Sequence, residues 1–282
     1  MFKFLVDLKD HSRVLSALCF LVRQPKYIFR QVRFQRQSRR RKKGYIDPRY
    51  AWLKAQHNTH VGERCFIVAT GPSITLSDLH LLRDECTFSM NSAVRLYDKT
   101  DWRPTYYGIQ DWRVYDKLQD DIFKIYNNSD CVLISQIIAQ KYGESTKKYH
   151  QFPLNTCYHD NYLELNKYFA AFSDDCYDVV YDGYSITYSL IQIAVYMGFK
   201  EIYLLGVDCS YKRGEKNHIV EAGNYDKNAE KNYDKMVVGY RQAKQYADAH
   251  GIKIVNCTRG GALEVFERQT LESVLHLDEQ DE

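Results

Sequence analysis

The stretch RCFIVATGPSI, from Arg64 to Ile74, joins an apolar run to a turn, and helix-like sequence begins at about Thr75. This order is typical of a buried strand that ends in a turn facing a phosphate group. Gly71 permits a tight turn, Pro72 presets φ for a first helical turn, and Ser73 or Thr75 is expected to cap the helix. Because free amides and the helix dipole attract an anion, we predict a nucleotide phosphate site here. An ordinary strand-to-helix turn is the alternative.

Further apolar runs flank this turn along the chain. The predicted strands are Cys86–Asn91, Thr105–Ile109, Cys131–Ser135, Glu201–Val207 and Lys253–Cys257. Helical sequence separates several of them, which is the pattern of a parallel sheet covered by helices. The sequence therefore predicts a single open, mostly parallel, doubly wound α/β sheet.

Polar side chains follow three of these strands. Asn91 ends one strand, Gln110 and Asp111 follow the next, and Asp208 follows Glu201–Val207. Since the carboxyl ends of parallel strands meet at one crevice, we expect these residues to lie beside Gly71 and to contact a nucleotide. Each is also a common capping or turn residue, which is the plainer interpretation of any one of them.

The segment SITYSLIQIAVYM, Ser185 to Met197, is apolar on nearly every face and predicts a buried helix that Gly198 ends in a left-handed conformation. Ser185 and Thr187, at its start, are predicted to approach the same crevice, with Ser185 as a simple N-cap the alternative. A second helix is predicted over Tyr233–His250, with five residues facing inward: Met236, Val237, Tyr240, Ala243 and Ala247.

The polar loop from Asp208 to His218 carries the candidate catalytic groups. Asp208 is suited to hold a metal, bond a ribose or cap the loop. Tyr211 and His218 are the groups most able to act on a leaving phosphate or an acceptor hydroxyl. Because an exposed loop histidine is usually inert, the role of His218 as a base is a hypothesis.

The chain is predicted to have three parts. Residues 1–59 form a basic arm and linker, residues 60–275 form the α/β domain, and residues 276–282 form an acidic tail. Within the domain, residues 140–182 are rich in Tyr, Asn, Asp and His and predict a helical, aromatic lid over the crevice. Such a surface suits a sugar acceptor, although tyrosine packing alone explains it equally well.

Charge is divided between the arm and the body. Residues 1–60 carry 15 Lys or Arg against 3 Asp, whereas the rest of the chain has a net charge of −9. Basic and apolar residues alternate over residues 1–43, which favours the surface of an anionic membrane. A solvated or protein-docking arm is the alternative. Nucleic acid is disfavoured because the acidic body would repel a polyanion.

The eight cysteines show no metal-ligand spacing, so we expect reduced thiols and a cytoplasmic protein. The apolar run Val14–Val22 is too short to span a bilayer, and Asp7 and Asp10 stand where a signal peptide would be basic. We therefore expect a protein that lies on the inner face of the cytoplasmic membrane without crossing it.

Four blocks of the sequence carry a family resemblance: ATGPS at 69–73, SMN at 89–91, YSITYSLIQIAVYMGFKEIYLLGVDCSY at 184–211 and NCTRGGALEVF at 256–266. They resemble the MptE-like family, formerly domain of unknown function 115, whose archaeal namesake is a 6-hydroxymethylpterin diphosphokinase. More distantly they resemble bacterial sialyltransferases of glycosyltransferase family 42, which use CMP-activated sialic acid without a metal. The resemblance implies a Rossmann-like fold, a variant of the GT-A type, over about residues 64–268.

The sialyltransferase resemblance also implies roles for individual residues. Tyr211 would match a tyrosine that supports the leaving phosphate, and His218 lies near the place of a second such tyrosine. The base histidine of that family lies further downstream, where this chain has no histidine until His250. The remaining implied contacts to CMP are Gly71, Pro72, Ser73, Asn91, Gln110, Asp111, Ser185 and Thr187.

Three functions are compatible with these observations. The favoured hypothesis is a glycosyltransferase that uses a CMP-sugar donor and no other cofactor, and that acts on a glycan carried on membrane lipid. The first alternative is diphosphate transfer from ATP to a small alcohol, which requires Mg²⁺ and predicts Asp111 and Asp208 as its ligands. The second is a non-catalytic protein that binds a nucleotide and is held on the membrane by its arm.

Overall fold

The protein is described by a computed structural model over residues 13–126, 131–159, 168–210, 219 and 232–277. In these ranges the strands are β1 (Arg64–Val68), β2 (Thr87–Met90), β3 (Tyr106–Ile109), β4 (Val132–Ser135), β5 (His150–Phe152), β6 (Leu154–Asn155), β7 (Val180–Tyr181), β8 (Glu201–Leu205), β9 (Lys253–Asn256) and β10 (Glu267–Arg268). The α-helices are α1 (Arg13–Lys42), α2 (Ala51–Ala55), α3 (Leu76–Leu81), α4 (Trp112–Tyr126), α5 (Gln136–Tyr142), α6 (Ile186–Met197), α7 (Asn232–Ala249) and α8 (Leu271–Val274).

Eight strands form one open sheet in the order β10-β9-β8-β1-β2-β3-β4-β5, and every neighbouring pair is parallel. Strand β1 lies inside the sheet, where Phe66 is opposite Thr87 of β2 on one side and Tyr203 of β8 on the other. From β1 the chain builds the sheet outward through β5, and from β8 it builds the other half through β10. The predicted open, doubly wound α/β sheet is confirmed.

The predicted strands agree with the observed ones to within two residues at each end, because each is a buried apolar run between turn residues. The short strands β5, β6, β7 and β10 were not predicted. Strand β5 falls within residues 140–182, but it pairs with β4 and extends the sheet. Pro153, which has no amide hydrogen, follows β5 directly. Strands β6 and β7 form a separate parallel pair.

Helix α6 is the central helix of the fold. All of its residues except Val195 are buried, and its C-terminal Gly198 adopts φ 104°, as the sequence predicts. It packs against β1, β2, β3 and α7. Helix α7 covers it with its predicted apolar face, and Met236, Val237, Tyr240, Ala243 and Ala247 are all buried. The opposite face of the sheet is covered by α3, α4 and α8.

The basic arm ends against the body. Arg41, at the end of α1, is 4% exposed, donates to the carbonyl oxygen of Asp178 and lies 3.5 Å from the carboxylate of Asp47. Tyr50 and Leu53 belong to the core, so packing onto the sheet begins within the segment that the sequence predicts as a linker. No helix in the described ranges is both long and apolar enough to cross a bilayer.

Candidate functional site

A cavity lies between the carboxyl ends of β1 and β8, where the order in which the chain adds strands to the sheet reverses. The connections that follow these two neighbouring strands diverge, and a crevice forms at the carboxyl ends of the strands. The cavity has a volume of about 70 Å³. It is lined by the ends of β1 and β2, the segment after β8, the start of α6 and one face of α7: Ala69, Thr70, Gly71, Met90, Asn91, Ser185, Ile186, Thr187, Gly206, Val207, Asp208, Cys209, Ser210, Met236 and Tyr240.

Five of the nine residues predicted to contact a nucleotide line this one cavity: Gly71, Asn91, Ser185, Thr187 and Asp208. They come from four separate elements of the chain, and only the parallel sheet brings them together. Their contact with a nucleotide stays a prediction.

Gly71 lies against the segment that follows β8. Its amide donates to the carbonyl oxygen of Gly206 at 2.9 Å. A Cβ atom added to Gly71 would lie 1.8 Å from Oδ2 of Asp208 and 2.3 Å from the Gly206 oxygen, so no side chain fits there. Glycine is therefore required at this turn for close approach of two backbone segments.

Asp208 is the buried acidic group of the cavity. It is 8% exposed, and its Oδ2 accepts a hydrogen bond from the hydroxyl of Ser73 at 2.8 Å. Its carbonyl oxygen accepts from the amide of Ala262 at 2.7 Å. Ser73 thus takes part in the site through Asp208 although it does not line the cavity, whereas Pro72 is exposed.

The turn after β1 differs from the predicted one. Helix α3 begins at Leu76, so Pro72 lies in the turn and not in the first turn of the helix. Thr75 is the N-cap, and it exchanges hydrogen bonds with Asp78 in a capping box. The capping box engages the amides of Thr75 and Asp78, and the anion site at this turn stays a prediction.

The helix whose start lines the cavity is α6. Its N-cap Ser185 accepts from the amide of Thr187 at 3.2 Å, and the Thr187 hydroxyl donates to Sδ of Met90 at 3.2 Å. The positive end of a 12-residue helix therefore faces the cavity. This end favours a negatively charged ligand group.

Backbone strain is concentrated around this cavity. Among the described residues, five that are not glycine have positive φ, and three of them lie here: Asn91 at 48°, Cys209 at 52° and Tyr184 at 66°. The first two line the cavity, and the third precedes Ser185. Asparagine tolerates this conformation, whereas Cys209 and Tyr184 cost about 1–3 kcal/mol each in it, and such strained residues are found preferentially at functional sites.

Gln110 and Asp111 lie outside the cavity lining. The Gln110 side chain accepts from the hydroxyl of Ser189 at 2.7 Å and donates to Asp182 at 3.3 Å. The carboxylate of Asp111 accepts from the amide of Arg113 at 2.7 Å, at the start of α4. Asp111 therefore caps the start of α4, which was the plainer interpretation of this residue.

Tyr211 and His218, the two predicted catalytic residues, lie outside the described residues. Ile219, which follows His218 in the sequence, donates its amide to the carbonyl oxygen of Thr70 at 2.8 Å. This bond brings Ile219 to the rim of the cavity. The roles of Tyr211 and His218 stay predictions.

Ten of the fifteen residues that line the cavity were not predicted as site residues, among them Met90, Cys209, Met236 and Tyr240. The inward face of α7 was predicted from periodicity, but periodicity does not separate a core position from a cavity wall. Burial raises the pKa of the Cys209 thiol to about 12, so this thiol is neutral at physiological pH.

A second polar cluster adjoins the start of α6. The ring Nδ1 of His159 lies 3.0 Å from Oδ2 of Asp182, and Oδ1 of Asp182 accepts from the amide of Tyr184 at 2.9 Å. Asp182 is 5% exposed. In the sequence, the only signal for this cluster is an acidic residue directly after the apolar run Val179–Tyr181.

Within the ranges that the structure describes, no group of three or more His, Cys, Asp or Glu side chains is arranged to hold a metal ion. Seven cysteines whose side chains the structure describes are free: Cys65, Cys86, Cys131, Cys157, Cys176, Cys209 and Cys257.

The family described as 6-hydroxymethylpterin diphosphokinase MptE-like matches residues 46–214, more than half of the chain. This match includes β1, β2 and β8 and the residues after them that line the cavity. No curated protein sequence matches the chain.

Among solved structures, the MAf glycosyltransferase from Magnetospirillum magneticum AMB-1 is similar, with a TM-score of 0.52 and 17% sequence identity. The similarity covers 77% of this chain and 35% of that protein, so this chain spans about a third of the length of its structural relative. At this identity the likeness shows a shared, glycosyltransferase-like fold.

Proposed function

This chain belongs to the MptE-like family, and from that premise we propose that it is a glycosyltransferase. It moves an acidic sugar, of the sialic acid or Kdo type, from a CMP-activated donor to a cell-surface glycan without a metal ion. The observation that supports this proposal best is the cavity at the switch point between β1 and β8.

Two features of the cavity support the proposal that it binds a nucleotide phosphate. The turn at Gly71 lets backbone approach closely, and the start of α6 contributes a positive dipole end. Asn91 and Ser185 add short polar side chains. In the reaction, the bond from the anomeric carbon to the phosphate oxygen breaks, CMP leaves, and the acceptor oxygen takes its place. Tyr211 is proposed to support the leaving phosphate.

The diphosphokinase alternative has the family description in its favour, but the predicted Mg²⁺ ligands do not fit it. Asp208 follows β8 and Asp111 follows β3, and β1 and β2 lie between these strands. Three steps of strand spacing separate the two aspartates by roughly 14 Å. Carboxylates bind Mg²⁺ at about 2.1 Å, so Asp111 and Asp208 are too far apart to hold the same ion.

Thermal melting of the purified protein tests the donor class. With CMP at about 100 times its Kd, linkage adds about 2.7 kcal/mol. We therefore expect Tm to rise by roughly 5–10 °C, and the rise to persist in EDTA. Cytidine, which lacks the phosphate, is the matched control and should stabilise the protein much less. Stabilisation by Mg·ATP alone would instead favour the kinase, and no response to any nucleotide would contradict all three functions, since each requires nucleotide binding.

The arm is proposed to hold the enzyme on an anionic membrane, where a lipid-linked acceptor would be found. On α1, Ile28, Phe29 and Val32 are 53%, 68% and 57% exposed. They are interspersed with exposed arginines, including Arg33 and Arg36. A helix with exposed apolar groups among basic side chains suits the boundary between lipid headgroups and acyl chains.

Flotation with lipid vesicles tests the arm. The full-length protein should float with vesicles that contain phosphatidylglycerol and much less with neutral phosphatidylcholine. Replacing Ile28 and Phe29 with serine should lower the floating fraction severalfold, because it removes apolar area from the bound face. Phe123→Ser, at a side chain of the body that is 55% exposed, is the matched control. Equal flotation of the wild type and the arm variant would contradict this localisation.

A further inference from the structure

We propose that His159, oriented by Asp182, is the base that takes the proton from the acceptor hydroxyl. This inference rests on the proposed glycosyltransferase function. The Nδ1 atom of His159 lies 3.0 Å from Asp182, and the side chains of the two residues are 55% and 7% exposed. The pair thus joins an accessible imidazole to a buried carboxylate.

The carboxylate of Asp182 is held by groups from other elements. Its Oδ1 accepts from the amide of Tyr184 at 2.9 Å and from Nε2 of Gln110 at 3.3 Å. Gln110, at the end of β3, is in turn fixed by the hydroxyl of Ser189 on α6. Because a carboxylate only accepts, it favours the neutral tautomer of His159 that carries its proton on Nδ1. The lone pair of the imidazole is then on Nε2, as a general base requires.

The pair adjoins the cavity. Asp182 is three residues before Ser185 of the cavity wall, so their Cα atoms are at most roughly 11 Å apart. The ring of Tyr184, between them in sequence, lies 5.1 Å from the ring of His159. Tyr184 is also one of the residues with positive φ, at 66°. The strained turn before α6 therefore connects the histidine to the proposed phosphate site.

The proposed step uses His159 only for proton transfer. Its Nε2 accepts the proton of the acceptor hydroxyl while the acceptor oxygen forms a bond to the anomeric carbon. The bond between that carbon and the phosphate oxygen breaks, and CMP leaves with the electron pair. The imidazolium then releases its proton to solvent. In this assignment Asp182 is a positioning residue, and the role that the sequence suggests for His218 passes to His159.

The test measures CMP release by the full-length protein from CMP-N-acetylneuraminic acid and from CMP-Kdo, with lactose present as acceptor. His159→Ala should lower kcat by roughly 100- to 10,000-fold. The Tm increase caused by CMP should remain, because donor binding does not need the base. Asp182→Asn should lower kcat by a smaller factor, also with CMP stabilisation retained. Added imidazole should restore part of the activity of His159→Gly. His80→Ala, at an exposed histidine on α3, is the matched control.

The outcomes separate this inference from the proposed function. If the turnover of His159→Ala is within threefold of the wild-type value, His159 is not the base, and the proposed glycosyltransferase function still stands. Loss of turnover in His218→Ala, with His159→Ala active, would return the base role to the loop after β8. No CMP release by the wild type from either donor would overturn the proposed function, and the role of His159 with it.

Discussion

Replacing Gly71 with alanine should lower Tm and remove the stabilisation of the protein by CMP. The new Cβ would lie 1.8 Å from Asp208 Oδ2 and 2.3 Å from the Gly206 carbonyl oxygen, and the second of these atoms is backbone. The turn after β1 must therefore move away from the segment after β8. Overpacking of this kind costs about 1–3 kcal/mol. The movement also displaces the cavity wall, so CMP at saturating concentration should no longer raise Tm.

Gly251→Asn is the matched control for Gly71→Ala. Gly251 adopts φ 62°, which asparagine tolerates, and nothing lies within 4 Å of the position of its Cβ. This variant should keep both its Tm and its response to CMP. If Gly71→Ala melts and binds CMP as the wild type does, the close approach of the two loops does not shape the site.

Replacing Leu190 with alanine should destabilise the fold by about 2–5 kcal/mol, because it opens a cavity under the central helix. Leu190 is fully buried on α6. Its side chain covers Gly108 of β3, where an added Cβ would lie 2.9 Å from Cδ2 of Leu190. Urea denaturation measures the free energy of unfolding. Leu76→Ala, at a side chain that is 41% exposed, should change it by about 0.5 kcal/mol or less.

The contact between Gly108 and Leu190 also predicts non-additivity. Gly108→Ala alone should cost about 1–3 kcal/mol, because its methyl group collides with Leu190. In the double variant Leu190 is already shortened, so the added methyl fills part of the cavity and should cost little or nothing. Additive losses in the double variant would mean that β3 and α6 do not pack as the structure describes.

The elements of the sheet could be predicted because their signals are local. Apolar runs marked β1 to β4, β8 and β9, and the near-uniform hydrophobicity of Ser185–Met197 marked the buried helix α6. Strand β5 was missed because three residues before Pro153 carry too short a pattern to be distinguished from a loop. The helix start at about Thr75 was predicted correctly, but Pro72 was wrongly placed in its first turn, because the helix begins at Leu76, after the N-cap Thr75.

The candidate site was predicted in part. The rule that the ends of parallel strands share one crevice placed Gly71, Asn91 and Asp208 correctly at one cavity. The same rule places Gln110 and Asp111 too close to it, because it does not give the order of the strands. Two strands, β1 and β2, separate β3 from β8.

The class of fold, the buried helix, the basic arm and the polar residues at the strand ends could all be recognised in the sequence, because each depends on neighbours within a few positions. Which of these residues meet depends on how the chain packs in three dimensions. The hydrogen bond from Ser73 to Asp208 joins residues 135 positions apart, and that from Gln110 to Asp182 joins residues 72 apart. Such contacts depend on strand order and on close packing between loops, which no local pattern of side chains encodes.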